Sequence, residues 1–143
     1  MLLWSVPSVI EARVSKEVPM VLTNEGTLEE FIKEMLSYGR PVELSLIGNF
    51  DKEGRGSRRD VDLDWHRDGD YTKDKAESID IVGLYCLTPG DTKTMIKDTH
   101  FENLLEITLK RGQSIIFDNK RCVHARKGPI GDRLLVRMWV EKS

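Results

Sequence analysis

The chain has 143 residues, a length that suits one domain able to bury roughly two-thirds of its unfolded surface. Its 22 Lys and Arg stand against 24 Asp and Glu, and the resulting net charge of −2 gives no reason to expect nucleic acid or an anionic membrane as a partner. The apolar share is ordinary for a soluble protein, no apolar run approaches a membrane span, and the opening Met1-Leu2-Leu3-Trp4-Ser5-Val6-Pro7 lacks the basic stretch of a signal peptide.

Residues 2–22 are rich in Val, Leu and Ile, are broken by Pro7 and Pro19, and read as short strands. Thr27 with Glu30 forms a capping box, and Leu28, Phe31, Ile32, Met35 and Leu36 follow helical spacing, so a helix begins there and is expected to end with Gly39 as its C′ residue. This helix reads as a buttress for a sheet. Alternation of Val42, Leu44 and Leu46 with Glu43, Ser45 and Ile47 predicts a strand over 41–47. The glycine-rich, basic run from Asn49 to Asp60 and the polar run from Asp70 to Ser78 predict surface loops. Further strands are predicted at Ile79–Leu87, Thr92–Lys97, Glu106–Leu109, Ser114–Phe117 and Leu134–Glu141. Cys86 and Cys122 sit apart without framework spacing and read as free thiols in a reducing cytosol, which makes the expected location cytoplasmic.

One helix followed by many short strands points to a mainly β, antiparallel fold across 1–143, and a double-stranded β-helix (a cupin-like jelly roll) fits best. Its chemistry centres on Asp64-Trp65-His66-Arg67-Asp68-Gly69-Asp70. In an extended strand, the i, i+2 spacing of His66 and Asp68 puts both side chains on one face, about 7 Å apart. His124 follows Asp118-Asn119, and Arg133 and Arg137 come after it. Two histidines, one carboxylate and open coordination positions describe the facial triad of non-haem Fe(II) oxygenases. In the expected fold, His66 and Asp68 end one strand and His124 reaches them from the opposite sheet.

The runs Trp65-His66-x-Asp68-Gly69, Pro89-Gly90-Asp91-Thr92, Phe117-Asp118-Asn119-x-Arg121-x-Val123-His124-Ala125-Arg126 and Asp132-Arg133-x-x-x-Arg137 carry a resemblance to a family. The chain resembles the Fe(II)/2-oxoglutarate-dependent oxygenases, most closely their taurine dioxygenase and clavaminate synthase-like group, over roughly the last 80 residues, and the nine-residue step from His124 to Arg133 also suits their prolyl-hydroxylase branch. The resemblance implies that His66, Asp68 and His124 bind Fe(II) and leave three adjacent positions for co-substrate and oxygen. It implies that Arg133, with a hydrogen bond from Thr92, holds the distal carboxylate of 2-oxoglutarate, for which a planar two-pronged donor is suited. Arg137 would then meet an anionic group of the substrate. The implied reaction uses O2 to hydroxylate a small polar or anionic molecule, releasing succinate and CO2. Thr92 and Phe117 lie closer together than in larger relatives, so the lid is short. Closure is left to 49–60, to 70–78, to a second subunit completing the lid, or to a bulky substrate.

Taken singly, each piece has a plainer reading. His66 with Asp68 could be a salt-bridged pair, Asp118-Asn119 a tight turn, and Arg133 and Arg137 exposed strand residues. Lys120, Arg121, Arg126 and Lys127 read as a solvated rim, or else as an attractive field for a dianionic co-substrate; His100 matches nothing, and Met138 and Trp139 read as core. Their joint occurrence in order favours the oxygenase. A non-catalytic metal-binding jelly-roll sensor or binding module is the competing reading. A nucleic-acid module using Arg55, Arg58 and Arg59 is disfavoured by the net acidity.

Overall fold

The computed structural model describes residues 19–48, 63–69, 78–99, 104–128 and 131–142. Over them the chain is mainly β: strands β1 (Val21–Glu25), β2 (Gly39–Ile47), β3 (Leu63–His66), β4 (Ile81–Thr88), β5 (Lys93–Asp98), β6 (Leu104–Ile107), β7 (Gln113–Asp118), β8 (Cys122–Lys127) and β9 (Leu134–Lys142), with helix α1 (Leu28–Leu36) between β1 and β2. The strands expected within 2–18, most of both polar loops, His100, Arg55, Arg58 and Arg59 lie outside the described residues.

The helix starts where its local chemistry directs. Thr27 Oγ1 accepts from the Glu30 N–H at 3.1 Å while Glu30 Oε1 accepts from the Thr27 N–H at 2.9 Å, so two otherwise orphaned donors are satisfied. Its end differs from the expectation. The helix stops at Leu36 with Ser37 as its cap, and Gly39 already opens β2. Gly39 is required there by crowding: a Cβ would stand 2.0 Å from the Glu141 carbonyl oxygen of β9.

Two antiparallel sheets follow, one of order β1-β7-β4-β9-β2 and one of order β3-β8-β5-β6. The pairing is nested. β5 pairs with β6, β4 with β7, β3 with β8 and β2 with β9, as in one long hairpin folded over so that alternate pairs fall in opposite sheets. The pairs β4 with β9 and β5 with β8 tie the folded hairpin together.

The nesting gives the five-stranded sheet two buried faces. Val82, Leu84, Ile115, Phe117, Leu135 and Trp139 point between the sheets, against Ile96 and Cys122 of the other sheet. Ile81, Tyr85, Ile116, Val136, Met138 and Val140 form the outer face, which Phe31, Met35 and Tyr38 cover. Burial on both faces is why β4 reads as an unbroken apolar run rather than an alternation. Gly83 lies under the helix, where a Cβ would stand 2.5 Å from Met35 Sδ and 2.8 Å from Phe31 Cζ; its lack of a side chain lets α1 dock. The buttressing role expected of the helix is borne out.

Candidate metal centre

β3 and β8 are neighbours in the four-stranded sheet, with His66 directly opposite His124. His124 therefore does not come from the opposite sheet, as the sequence suggested; the nested pairing brings it in along the adjacent strand. Nor does Asp68 continue the strand. β3 ends at His66, and Asp68 sits in a turn completed by Gly69, whose φ of 88° favours a residue without a side chain.

The three side chains converge. Asp68 Oδ1 lies 3.4 Å from His66 Nε2 and 3.1 Å from His124 Nε2, and the three donor atoms all fall within 4.8 Å of one another. Ligands ~2.1 Å from one ion and at right angles stand about 3 Å apart, so these separations suit adjacent positions on a single divalent ion. The imidazole of His66 is oriented for this. Its Nδ1 lies 2.7 Å from the Asp64 carbonyl oxygen, which can only accept, so Nδ1 donates there and Nε2 is the nitrogen turned toward Asp68. The His124 ring is held between Phe117 and His66, at centroid distances of 5.0 and 4.2 Å. Its Nδ1 is buried and has no partner among the described residues.

Asp68 is supported from behind. Asn119 accepts from its backbone N–H and donates to its carbonyl, and Trp139 Nε1 donates to Oδ2 at 2.7 Å. Burial alone would push this carboxyl up, but His124, His66 and Arg137 outweigh it and hold it well below the usual carboxylate range. The group is an anion, buried, with one oxygen tied down and the other aimed at the two imidazoles.

A cavity of about 40 Å³ opens from these three side chains and runs between the sheets, with Thr94, Arg126, Arg133 and Arg137 among its lining residues. Arg133 is buried, and its Nη1 donates to Thr94 Oγ1 at 3.2 Å while its Nε finds no partner among the described residues. Burial, together with the nearby charge of Arg126, pushes its guanidinium down to about 10, which leaves it protonated at neutral pH. Arg137 is the more engaged of the two expected arginines. It reaches Glu43 Oε2 at 3.5 Å and Asp68 Oδ2 at 3.8 Å, and its guanidinium carbon lies 4.4 Å from the Trp139 ring centroid. The shared face expected for positions 133, 135 and 137 is present, because Arg133, Leu135 and Arg137 all line this cavity.

Other residues take places that the sequence did not assign. Thr92 is fully buried just ahead of β5, but the threonine that lines the cavity and meets Arg133 is Thr94. Arg126 belongs to the cavity wall and not to a solvated rim, since inward-facing positions alternate along β8 and it follows His124 by two. Arg121 is not simply solvated either: it pairs with the buried carboxylate of Asp98 at 3.2 Å. Trp139 is core, as expected, and also the partner of Asp68. Its signal was available, because 133, 135, 137 and 139 share one face of a strand.

A larger open groove of about 390 Å³ beside α1 is lined by residues such as Thr27, Glu30, Glu34 and Tyr85. There Thr27 and Glu30 are engaged in the capping box and Tyr85 Oη donates to the Gly26 carbonyl, and among the described residues the one group of His, Cys, Asp or Glu side chains placed to hold a metal ion is His66, Asp68 and His124. No family model matches this sequence, and no curated protein matches it significantly. Among the described residues no helix is long and apolar enough to cross a membrane.

Proposed function

We propose that this chain is an Fe(II)- and 2-oxoglutarate-dependent dioxygenase with a jelly-roll fold, hydroxylating a small polar or anionic substrate with release of succinate and CO2. The nested strand pairing supports the jelly roll. One observation carries the function: two imidazoles and a carboxylate face a cavity whose wall also holds a buried, protonated arginine bonded to a threonine. A metal triad alone serves many purposes. A buried guanidinium in the same cavity adds a seat for a carboxylate, and a 2-oxo dicarboxylate has one end to chelate a metal and another to pair with arginine.

In this reading His66, Asp68 and His124 hold Fe(II), which supplies oxidation by O2 when bound. Arg133, backed by Thr94 and with Thr92 next along the same inner face, fixes the distal carboxylate of the co-substrate. Arg137 orients the substrate by a face not used in its contacts with Glu43 and Asp68. The two buried thiols fit a reducing, cytoplasmic setting.

The second reading, a metal-binding module without catalysis, is favoured by the size of the cavity. About 40 Å³ holds a few water molecules and no dicarboxylate, so the co-substrate needs side chains to move aside. Anaerobic addition of Fe(II) and then 2-oxoglutarate separates the two. The dioxygenase gives the visible charge-transfer band of a keto-acid chelate, followed in air by succinate. Metal binding with no band on saturating co-substrate supports the module and overturns the dioxygenase.

A further inference from the structure

We infer that Trp139 is a positioning residue for the metal carboxylate, its indole N–H pinning the outer oxygen of Asp68 so that the inner oxygen alone faces the ion. The inference rests on the reading of His66, Asp68 and His124 as a metal centre and is independent of 2-oxoglutarate.

The geometry separates the two carboxylate oxygens by task. Oδ1 lies within 3.4 Å of both imidazole Nε2 atoms, whereas Oδ2 receives the indole N–H at 2.7 Å. An indole nitrogen can only donate, so the bond persists only while Oδ2 stays where it is. Both residues are almost wholly buried, Trp139 at 2% and Asp68 at 4% exposure, and bulk water does not compete for that oxygen. A carboxylate with both oxygens unengaged can swing onto a metal as a two-toothed ligand and close a position that an incoming ligand would need. A charge-assisted hydrogen bond on Oδ2 opposes that swing.

The indole is itself held in place. Arg137 stacks over its ring at 4.4 Å, approaches the same Oδ2 at 3.8 Å and is tethered on its other side to Glu43, which is the cross-strand partner of Trp139. For Trp139 to release Asp68, it would have to leave a stacked cation and a packed core together.

The test uses two variants. Trp139→Phe keeps a ring under Arg137 but removes the N–H, and replacing the indole by its benzothienyl isostere keeps the whole ring shape with sulfur in place of N–H. Co(II) is titrated into each metal-free protein, following the visible d–d absorption, with thermal unfolding as the check on folding. Both variants are expected to bind Co(II) about 10- to 100-fold more weakly than the parent, with an altered d–d spectrum as the released oxygen enters the coordination sphere. If the isostere binds Co(II) with the affinity and spectrum of the parent, the inference is overturned, even when Trp139→Phe is destabilised, because packing then explains the residue. A parent protein that binds no Co(II) removes the metal centre and this role together. A parent that binds Co(II) in a Trp139-dependent way but gives no keto-acid band leaves this role standing and sinks the dioxygenase alone.

Discussion

Asn119 holds both backbone groups of Asp68 with one side chain, accepting from the Asp68 N–H at 3.1 Å and donating to the Asp68 carbonyl at 3.1 Å. Its amide nitrogen also donates to the Ile79 carbonyl at 3.0 Å. One buried amide thus sets the turn that carries the carboxylate, from 51 residues further along the chain. Asn119→Ala should lower the unfolding free energy by about 1–3 kcal/mol, the cost of leaving buried backbone groups unpaired. Metal affinity should fall with it, because the turn would no longer be fixed. Urea unfolding of the metal-free variant reads the first effect and Co(II) titration the second. Unchanged stability would show that the clamp is dispensable.

Removing a ligand should separate binding from folding. His124→Ala takes away one converging nitrogen and a ring packed between Phe117 and His66, in a strand whose backbone pairing with β3 and β5 does not depend on the side chain. We expect metal affinity to drop by more than ~100-fold, beyond what loss of a supporting partner costs, with an unchanged far-ultraviolet spectrum. A His124→Ala protein that binds metal like the parent would refute the triad.

The arginines should fail in different ways. Arg133→Lys keeps a charge but loses the planar fork and the reach to Thr94, and should mainly raise the apparent constant for 2-oxoglutarate. Arg137→Lys should disturb the primary substrate first and leave substrate-independent succinate formation largely intact. Titrating 2-oxoglutarate against each variant decides the matter. Normal co-substrate binding in Arg133→Lys, with impaired binding in Arg137→Lys, would exchange the two roles.

The cysteines give a pH dependence with a definite sign. Burial pushes the Cys122 thiol up to about 11, with Asp118 and Asp98 adding to the effect, and burial also raises Cys86. Each thiol keeps its proton to higher pH when folded than when unfolded. Its stabilising contribution is therefore complete below the unfolded thiol range, near ~8.5, and is lost as pH rises through the folded value. Urea midpoints should fall steadily across that alkaline window. Thiol reagents near neutral pH should label neither cysteine until the chain unfolds; rapid labelling of Cys122 in the native protein would contradict its burial.

Local features were readable from the sequence because their causes are local. Thr27 and Glu30 announce the helix start within one turn of chain, and β4 and β9 announce themselves by apolar content. β8 went unrecognised for the opposite reason: its inward positions are Cys122, His124 and Arg126, so a strand built around a site hides behind the wrong polarity pattern. The placement of His124 depended on which strands pair, and pairing across the chain is not written into either strand. Trp139 was hidden by its own plausibility, since a tryptophan among Met138 and Val140 needs no second explanation. Thr94 lies one alternation beyond Thr92, where the family pattern drew attention away from the neighbour on the same face.

The nested pairing also determines when the candidate metal centre can come into being. Each successive pair joins segments further apart in sequence, until Arg40 meets Glu141 across 101 residues. Loop closure over such separations is slow compared with closing a local hairpin, so the outer pairs are expected late in folding. His66 and His124 come face to face only in the third pair of the nest, and the Trp139 support for Asp68 arrives only with the last strand. Until then the three candidate ligands are scattered, so an ion that needs all three would be held only once the fold is nearly finished. Metal uptake in refolding would then trail hydrophobic burial and serve as a clock for the closing of the roll.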